Sequence, residues 1–189
     1  MRMVLLMIGL SVALKTQAGF FGGIIVAGNQ QENRLAGRVV SNEGATYGVR
    51  LGYQFNRYVA AELGYEHYSD LDITSHIDNQ VLDETIKTAS TRFGVKGILP
   101  VQDQISVFVR TGVAYWNYEY TAALPQSGIR LNDRDESFDI YYGIGASARV
   151  SEHFSVGVDY NFLQYDVEVL NLSGEYQVDG FAVNFGVSF

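Results

Sequence analysis

Cysteine is absent from the 189-residue chain, so no disulfide and no thiolate-held metal is available to it. That absence fits an extracytoplasmic bacterial protein without requiring one. Proline is scarce as well, two residues beside 20 Gly, 13 Tyr and 11 Phe, and this balance points to an all-β chain. Beyond the N-terminus no stretch approaches the roughly eighteen consecutive apolar residues that a membrane-crossing helix needs, which excludes helical spans. The three histidines, His67, His76 and His153, are widely spaced, so metal catalysis has no support and neither a metal nor a cofactor is expected. Positive charge is in the minority, 13 Lys and Arg against 21 Asp and Glu for a formal −8, which argues against a nucleic-acid partner.

The N-terminus carries Arg2, an apolar run Met3–Leu14, then Lys15, Thr16, Gln17 and Ala18. A basic start, about a dozen apolar residues and a small residue at the end describe a secretory signal peptide, here residues 1–18 with cleavage after Ala18. An uncleaved anchor is the alternative. Cleavage removes Arg2 and Lys15 and takes the formal charge from −8 to −10. Residues 19–189 then form one domain.

The last stretch organises that domain. Phe181, Val183, Phe185, Val187 and Phe189 alternate with Gly180, Ala182, Asn184, Gly186 and Ser188, a period of two and therefore a strand. A soluble protein gains little from ending on exposed Phe-x-Phe, whereas a transmembrane barrel needs a closing strand with one oily face. Phe185, Val187 and Phe189 also resemble the terminal signal read by bacterial barrel-assembly machinery. Seven further alternating segments precede it: 20–28 (phase open), 45–55, 58–68, 85–99, 105–118, 138–150 and 154–166. Short connections at 56–57, 101–104 and 151–153 alternate with long polar ones at 29–43, 70–84, 121–137 and 167–177, which are expected to be loops on the outside of the cell. The fold class is all-β, an eight-stranded antiparallel up-and-down transmembrane β-barrel.

A soluble barrel with the apolar parity inside is the competing architecture. The opposite parity decides against it, because it is rich in glycine (Gly48, Gly52, Gly64, Gly94, Gly112, Gly143, Gly145, Gly157), a poor cover for a soluble sheet. In a narrow lumen, by contrast, small residues make room for a few large charged ones. Aromatic residues near strand ends, Tyr53, Phe55, Tyr115, Phe138, Tyr142 and Phe154, are expected as interface girdles. The cluster Tyr115-Trp116-Asn117-Tyr118-Glu119-Tyr120 reads as girdle too, or as a ligand patch.

The run L-G-Y-Q-F-N-R-Y-V-A-A-E-L-G-Y-E, Leu51–Glu66, resembles the second-to-third-strand hairpin of the OmpA-like small outer-membrane barrels. Tyr141–Tyr160, Y-Y-G-I-G-A-S-A-R-V-S-E-H-F-S-V-G-V-D-Y, is similar to their sixth and seventh strands. The resemblance implies an eight-stranded barrel with structural, surface-interaction or weak pore roles. A bacterial outer-membrane location and contact with outer-membrane lipid are expected from the oily barrel face, and the acidic runs Asp70, Asp72, Asp78, Asp83, Glu84 and Asn132–Glu136 are expected to solvate the outer loops, with Ca²⁺ or a divalent bridge to lipopolysaccharide phosphates as the alternative. The periplasmic peptidoglycan-binding domain of full-length relatives is expected to have no counterpart here. In that family a lumenal acid and base exchange partners to gate passage; Glu62, Lys96 and Arg110 match lumenal positions of the pattern. The family's base on the seventh strand is Gly157 here, and its acid on the sixth is Ser147, so that exchange is not expected in the family's form.

Nine charged residues fall on the inward parity: Arg50, Glu62, Glu66, Arg92, Lys96, Arg110, Asp139, Arg149 and Asp159. Buried ions must pair or be hydrated. If Phe55 pairs with Val59, Arg50 lies opposite Gly64 and diagonal to Glu62 and Glu66, while Lys96 can reach Glu62. Removing Glu62 is then expected to leave Arg50 and Lys96 underpaired. The expected function is non-enzymatic, envelope integrity or surface contact through the outer loops. A narrow pore is second; a lipid-modifying enzyme at the rim, using His67 and Ser69, is third.

Overall fold

The computed structural model describes residues 18–35, 37–77, 80–170 and 172–189. The expected signal peptide therefore lies, but for Ala18, outside the described residues. Nine strands follow: β1 (Gly19–Leu35), β2 (Arg38–Asn56), β3 (Val59–Tyr68), β4 (Leu71–Ile77), β5 (Gln80–Pro100), β6 (Ile105–Leu124), β7 (Ile129–Arg149), β8 (Phe154–Val169) and β9 (Leu172–Ser188). All pairings are antiparallel. β3 and β4 both pair with β5 and are one barrel strand broken at Ser69 and Asp70. The ring β1-β2-β3-β5-β6-β7-β8-β9 closes through β1 against β9, so the barrel has eight staves.

Side-chain orientation follows the sequence periodicity in the lower part of the barrel. Phe20, Leu51, Phe93, Ile144 and Phe181 point outward and are 68%, 60%, 65%, 61% and 71% exposed, values that suit lipid and not water. Ile24 and Val26 share the outer face while Ile25 is buried, which settles the phase of the first strand. Arg50 faces Gly64, as expected, but Asn56 and not Phe55 pairs with Val59, because the register shifts between Gln54 and Asn56 at the turn. Glycines permit close wall contacts: a Cβ on Gly94 would overlap the Tyr141 hydroxyl and the Thr111 carbonyl.

The four long connections are not loops. Each is the upper part of a β-hairpin whose strands run to within a few residues of its tip, with Gly37 (φ 79°) and Gly128 (φ 68°) supplying left-handed residues at two of the tips. At the β8–β9 tip Leu170 takes φ 52° without glycine's freedom, a strain of about 1 kcal/mol. β5 and β7 each run 21 residues, whereas about 9–11 span a bilayer. The polar composition read as loop is the polarity of strands that have left the membrane.

Above the oily band the ladder splits. β7 pairs with β8 only from Tyr141 to Arg149, and β2 pairs with β3 only up to Thr46 and Tyr68. The hairpins thus stand as two four-stranded sheets, β2-β1-β9-β8 and β4-β5-β6-β7. The hydrophobic core sits on their inner faces: Trp116, Tyr118, Tyr120, Leu163, Tyr165, Val167, Tyr176 and Val178 are all buried. The apolar phase therefore inverts along the strands that carry this core. On β6 it passes from outward Val109 and Val113 to inward Trp116 and Tyr118; on β8 it passes from outward Val158 to inward Leu163 and Tyr165. Lipid outside demands one parity and water outside demands the other.

Candidate functional site in the barrel lumen

Six of the nine inward charges are buried in the lumen, and Lys96 is nearly so, with 17% of its side chain exposed. They form a chain around the wall. Arg92 Nη2 lies 3.1 Å from Glu66 Oε2, and Arg50 Nη2 is 3.3 Å from Glu66 Oε1. Arg50 Nη1 donates to Asn184 Oδ1 at 3.2 Å. Asn184 in turn donates to Asp159, which also accepts from Asn161 Nδ2 (2.9 Å) and Arg110 Nη1 (2.7 Å). Arg110 Nε is 3.5 Å from Glu62 Oε2, and Lys96 Nζ is 3.8 Å from Glu62 Oε1.

The alternating pattern places these groups where they are. Every second residue of β2, β3, β5, β6 and β8 faces the axis, and Gly64, Gly94 and Gly112 leave the width that guanidinium groups need. The pairing differs from the expectation in one respect. Arg50 sits with Glu66 and not with Glu62, whose second partner is Arg110. Strand arithmetic sees only neighbouring staves, and the Arg110 contact skips one, from β3 past β5 to β6.

Two of the nine stand apart. Asp139 is half-buried and accepts from Trp116 Nε1 at 2.8 Å instead of pairing with a cation. Arg149 is exposed at the short-turn rim, and among the described residues no ion pair joins it to the lumenal carboxylates. Sequence reasoning missed Tyr68, Tyr141, Asn161 and Asn184. Tyr68 Oη accepts from Arg92 Nη2 at 2.5 Å, and the Arg92 guanidinium lies over the Tyr141 ring at 5.1 Å. All four share the inward parity, so the signal was present in neutral polar side chains beside charged ones.

Above the charges the lumen is filled by rings. Trp116 stacks on Tyr165 at 4.1 Å, Tyr165 meets Tyr176 at 5.2 Å, and Tyr118 meets Tyr176 edge-on at 5.6 Å. Trp116, Tyr118 and Tyr120 therefore do not belong to the membrane girdle, because the inverted phase turns them inward. Tyr176 Oη donates to Gln31 Oε1 at 2.7 Å and Asn33 Nδ2 donates to Tyr118 Oη at 3.0 Å, tying the rings to β1. Burial, with neighbouring tyrosines, pushes the Tyr118 and Tyr176 hydroxyls up, so both remain donors at every physiological pH.

The expected girdle residues lie on the outer face: Phe55, Phe138, Tyr142 and Phe154 are exposed, and Tyr53 and Tyr115 are half-buried against Phe20 and Phe138. Tyr142 sits four residues below Phe138 and eight above Val150, within the oily band and not at its edge. Phe185 and Phe189 are outward and exposed, and Phe189 N donates to Phe20 O at 2.9 Å across the closing seam. At the upper rim, His67 packs on the Tyr47 ring at 5.1 Å, while Ser69 Oγ accepts from Ala45 N at 3.0 Å and Gln31 Nε2 at 3.3 Å. No hydrogen bond joins His67 to Ser69 among the described residues. Nor do three or more His, Asp or Glu there converge as a metal site.

At the β7–β8 seam side chains replace the missing ladder. Asp133 Oδ2 accepts from Leu170 N at 2.6 Å and Asp135 Oδ2 from Glu168 N at 2.7 Å. The Leu170 amide, and secondarily that of Arg134, hold the Asp133 carboxyl below its ordinary range.

Oily staves, a filled polar axis and outward-standing hairpins define a small transmembrane β-barrel. The model of the OmpA-like transmembrane domain matches residues 18–189, and the chain belongs to that family. It is 24% identical over 136 residues to outer membrane protein A of Serratia marcescens, covering 72% of this chain and 37% of that protein. Against outer membrane protein A of Yersinia pseudotuberculosis it is 21% identical, covering 67% and 36%. The chain thus spans little more than a third of these relatives. Among solved structures it is similar to neisserial surface protein A (TM-score 0.59, 13% identity, 91% of this chain and 99% of that one). It is also similar to Ail of Yersinia pestis, solved with the heparin analogue sucrose octasulfate (TM-score 0.53, 12% identity, 88% and 99%). The N-terminal barrel of Pseudomonas aeruginosa OprF gives TM-score 0.53 at 17% identity over 89% and 99%. The chain is a protein of the bacterial outer membrane.

Proposed function

We propose that this barrel is a non-enzymatic anchor that presents its four outer hairpins for surface contact and thereby also supports the envelope. The observation that carries the reading is the pair of four-stranded sheets rising over a lumen closed by Trp116, Tyr118, Tyr165 and Tyr176. A filled axis suits an anchor better than a conduit, and rigid paired strands suit a recognition surface better than floppy loops. Charge narrows the partner. The segments 29–43, 70–84, 121–137 and 167–177 hold twelve of the 21 acids and four of the 13 bases, and so carry −8 of the formal −10 that remains once residues 1–18 are removed. The polyanion seen on Ail is therefore a poor model for this chain's ligand, and a basic partner is the better one. Lipopolysaccharide phosphates would meet these acids only through divalent cations. Residues 1–18 act in this reading as an export signal, and the Phe185–Phe189 end as the mark read by barrel-assembly machinery.

The test has two arms. Reconstituted in planar bilayers, the protein is expected to show no discrete conductance steps. Cells displaying it are expected to bind cationic peptide more than cells displaying a variant with the exposed Asp70, Asp72 and Asp83 changed to Asn. Regular conductance steps would favour the narrow-pore reading instead, which draws on the cavity of about 80 Å³ beside Lys96.

A further inference from the structure

Glu62, Glu66 and Asp159 are buried in the lumen together with Arg50, Arg92 and Arg110, three carboxylates against three guanidinium groups. Lys96 is a fourth cation with no carboxylate of its own, because Glu62 is shared with Arg110. At 3.8 Å its Nζ is too far from Glu62 Oε1 for a hydrogen bond, and its other neighbour is the face of Phe108, 4.1 Å from the ring centre. Arg110 Nε is also buried and makes no hydrogen bond among the described residues, with Glu62 Oε2 at 3.5 Å its ion-pair partner. A surplus charge in such surroundings destabilises the barrel unless something neutralises it.

Beside these groups lies a cavity of about 80 Å³ toward the short-turn end. Arg50, Lys96 and Arg110 line it with a single carboxylate, Glu62, and Ser147, Ser155 and Asn184 add hydroxyl and amide groups. The space has room for a few waters, or for one halide ion with water. Three cations, one acid and neutral donors around so small a volume select a compact monovalent anion. We propose that this cavity is a lumenal anion site that binds a halide ion against Lys96 and Arg110, balancing the surplus charge. The site is separate from the outer hairpins, so it stands or falls independently of the surface role.

The probe is bromide. Crystals of the full barrel grown in bromide are expected to show an anomalous peak within the cavity beside Lys96 Nζ. In micelles at constant ionic strength, the urea midpoint is expected to rise saturably with chloride and to stay flat with gluconate, which is too large to enter. Lys96→Met should lose both signals. Ser147→Asp places a carboxylate on the cavity wall; it should fold, lack the peak and lose the chloride response, and it decides the matter if Lys96→Met does not fold. A cavity without a peak, or a chloride response unchanged in Ser147→Asp, would overturn the proposal in favour of a hydrated or uncharged Lys96.

Discussion

Replacing Glu62 by alanine removes the acid that two lumenal cations share. At an effective dielectric near 20, charges 3.5 and 3.8 Å apart attract by about 4–5 kcal/mol each. Against this stands the desolvation of the carboxylate, several kcal/mol, which the variant recovers. Arg110 keeps Asp159 at 2.7 Å, so the loss falls chiefly on Lys96. Neither Glu62 oxygen accepts a hydrogen bond among the described residues, which places the cost at the lower end of that for a broken buried pair, about 3 kcal/mol. With an m-value near 2 kcal/mol/M, the urea midpoint should fall by roughly 1.5 M. The single tryptophan makes the assay direct: Trp116 is buried against Tyr165, and its emission reports folding in lipid vesicles. Glu43→Ala, on an exposed position of β2, serves as control. A midpoint for Glu62→Ala within a few tenths molar of wild type would refute the pairing. A fall that a Glu62→Gln variant escapes would show that the carboxylate's charge is not what matters.

Other perturbations probe the remaining parts. Trp116→Ala deletes a ring stacked on Tyr165 and the donor to Asp139, and should cost about 3–5 kcal/mol, with loss of near-ultraviolet circular dichroism from the tyrosine layer. Ile144→Arg should cost about 2–4 kcal/mol in bilayers, whereas Ile129→Arg, equally apolar and 52% exposed on the outer part of β7, should be neutral; equal effects would mean that the oily band is misplaced. Because the folded Asp133 carboxyl titrates below its unfolded value, its grip on Leu170 N is fully present above the ordinary carboxylate range. It is lost as pH falls through the depressed value; the protection of the Leu170 amide, taken relative to the intrinsic exchange rate at each pH, should fall there in wild type and be lost across the range in Asp133→Ala.

The sequence by itself determined the barrel, the outward oily parity and the lumenal charges, because a bilayer acts on every alternate residue and leaves a signal that is local and repeated. Val107 and Val109 cannot exchange places with Phe108 and Arg110 without putting a guanidinium into lipid, so the phase is legible without coordinates. Only the tertiary structure decided that Glu62 reaches Arg110, since that contact skips a stave and joins residues distant in sequence. It also decided that the polar segments rise as two paired sheets around Trp116, Tyr118 and Tyr165. The inversion of phase after Tyr115 and Phe162 was written in the chain, yet its meaning depends on a second sheet standing opposite, and that sheet is assembled by barrel closure.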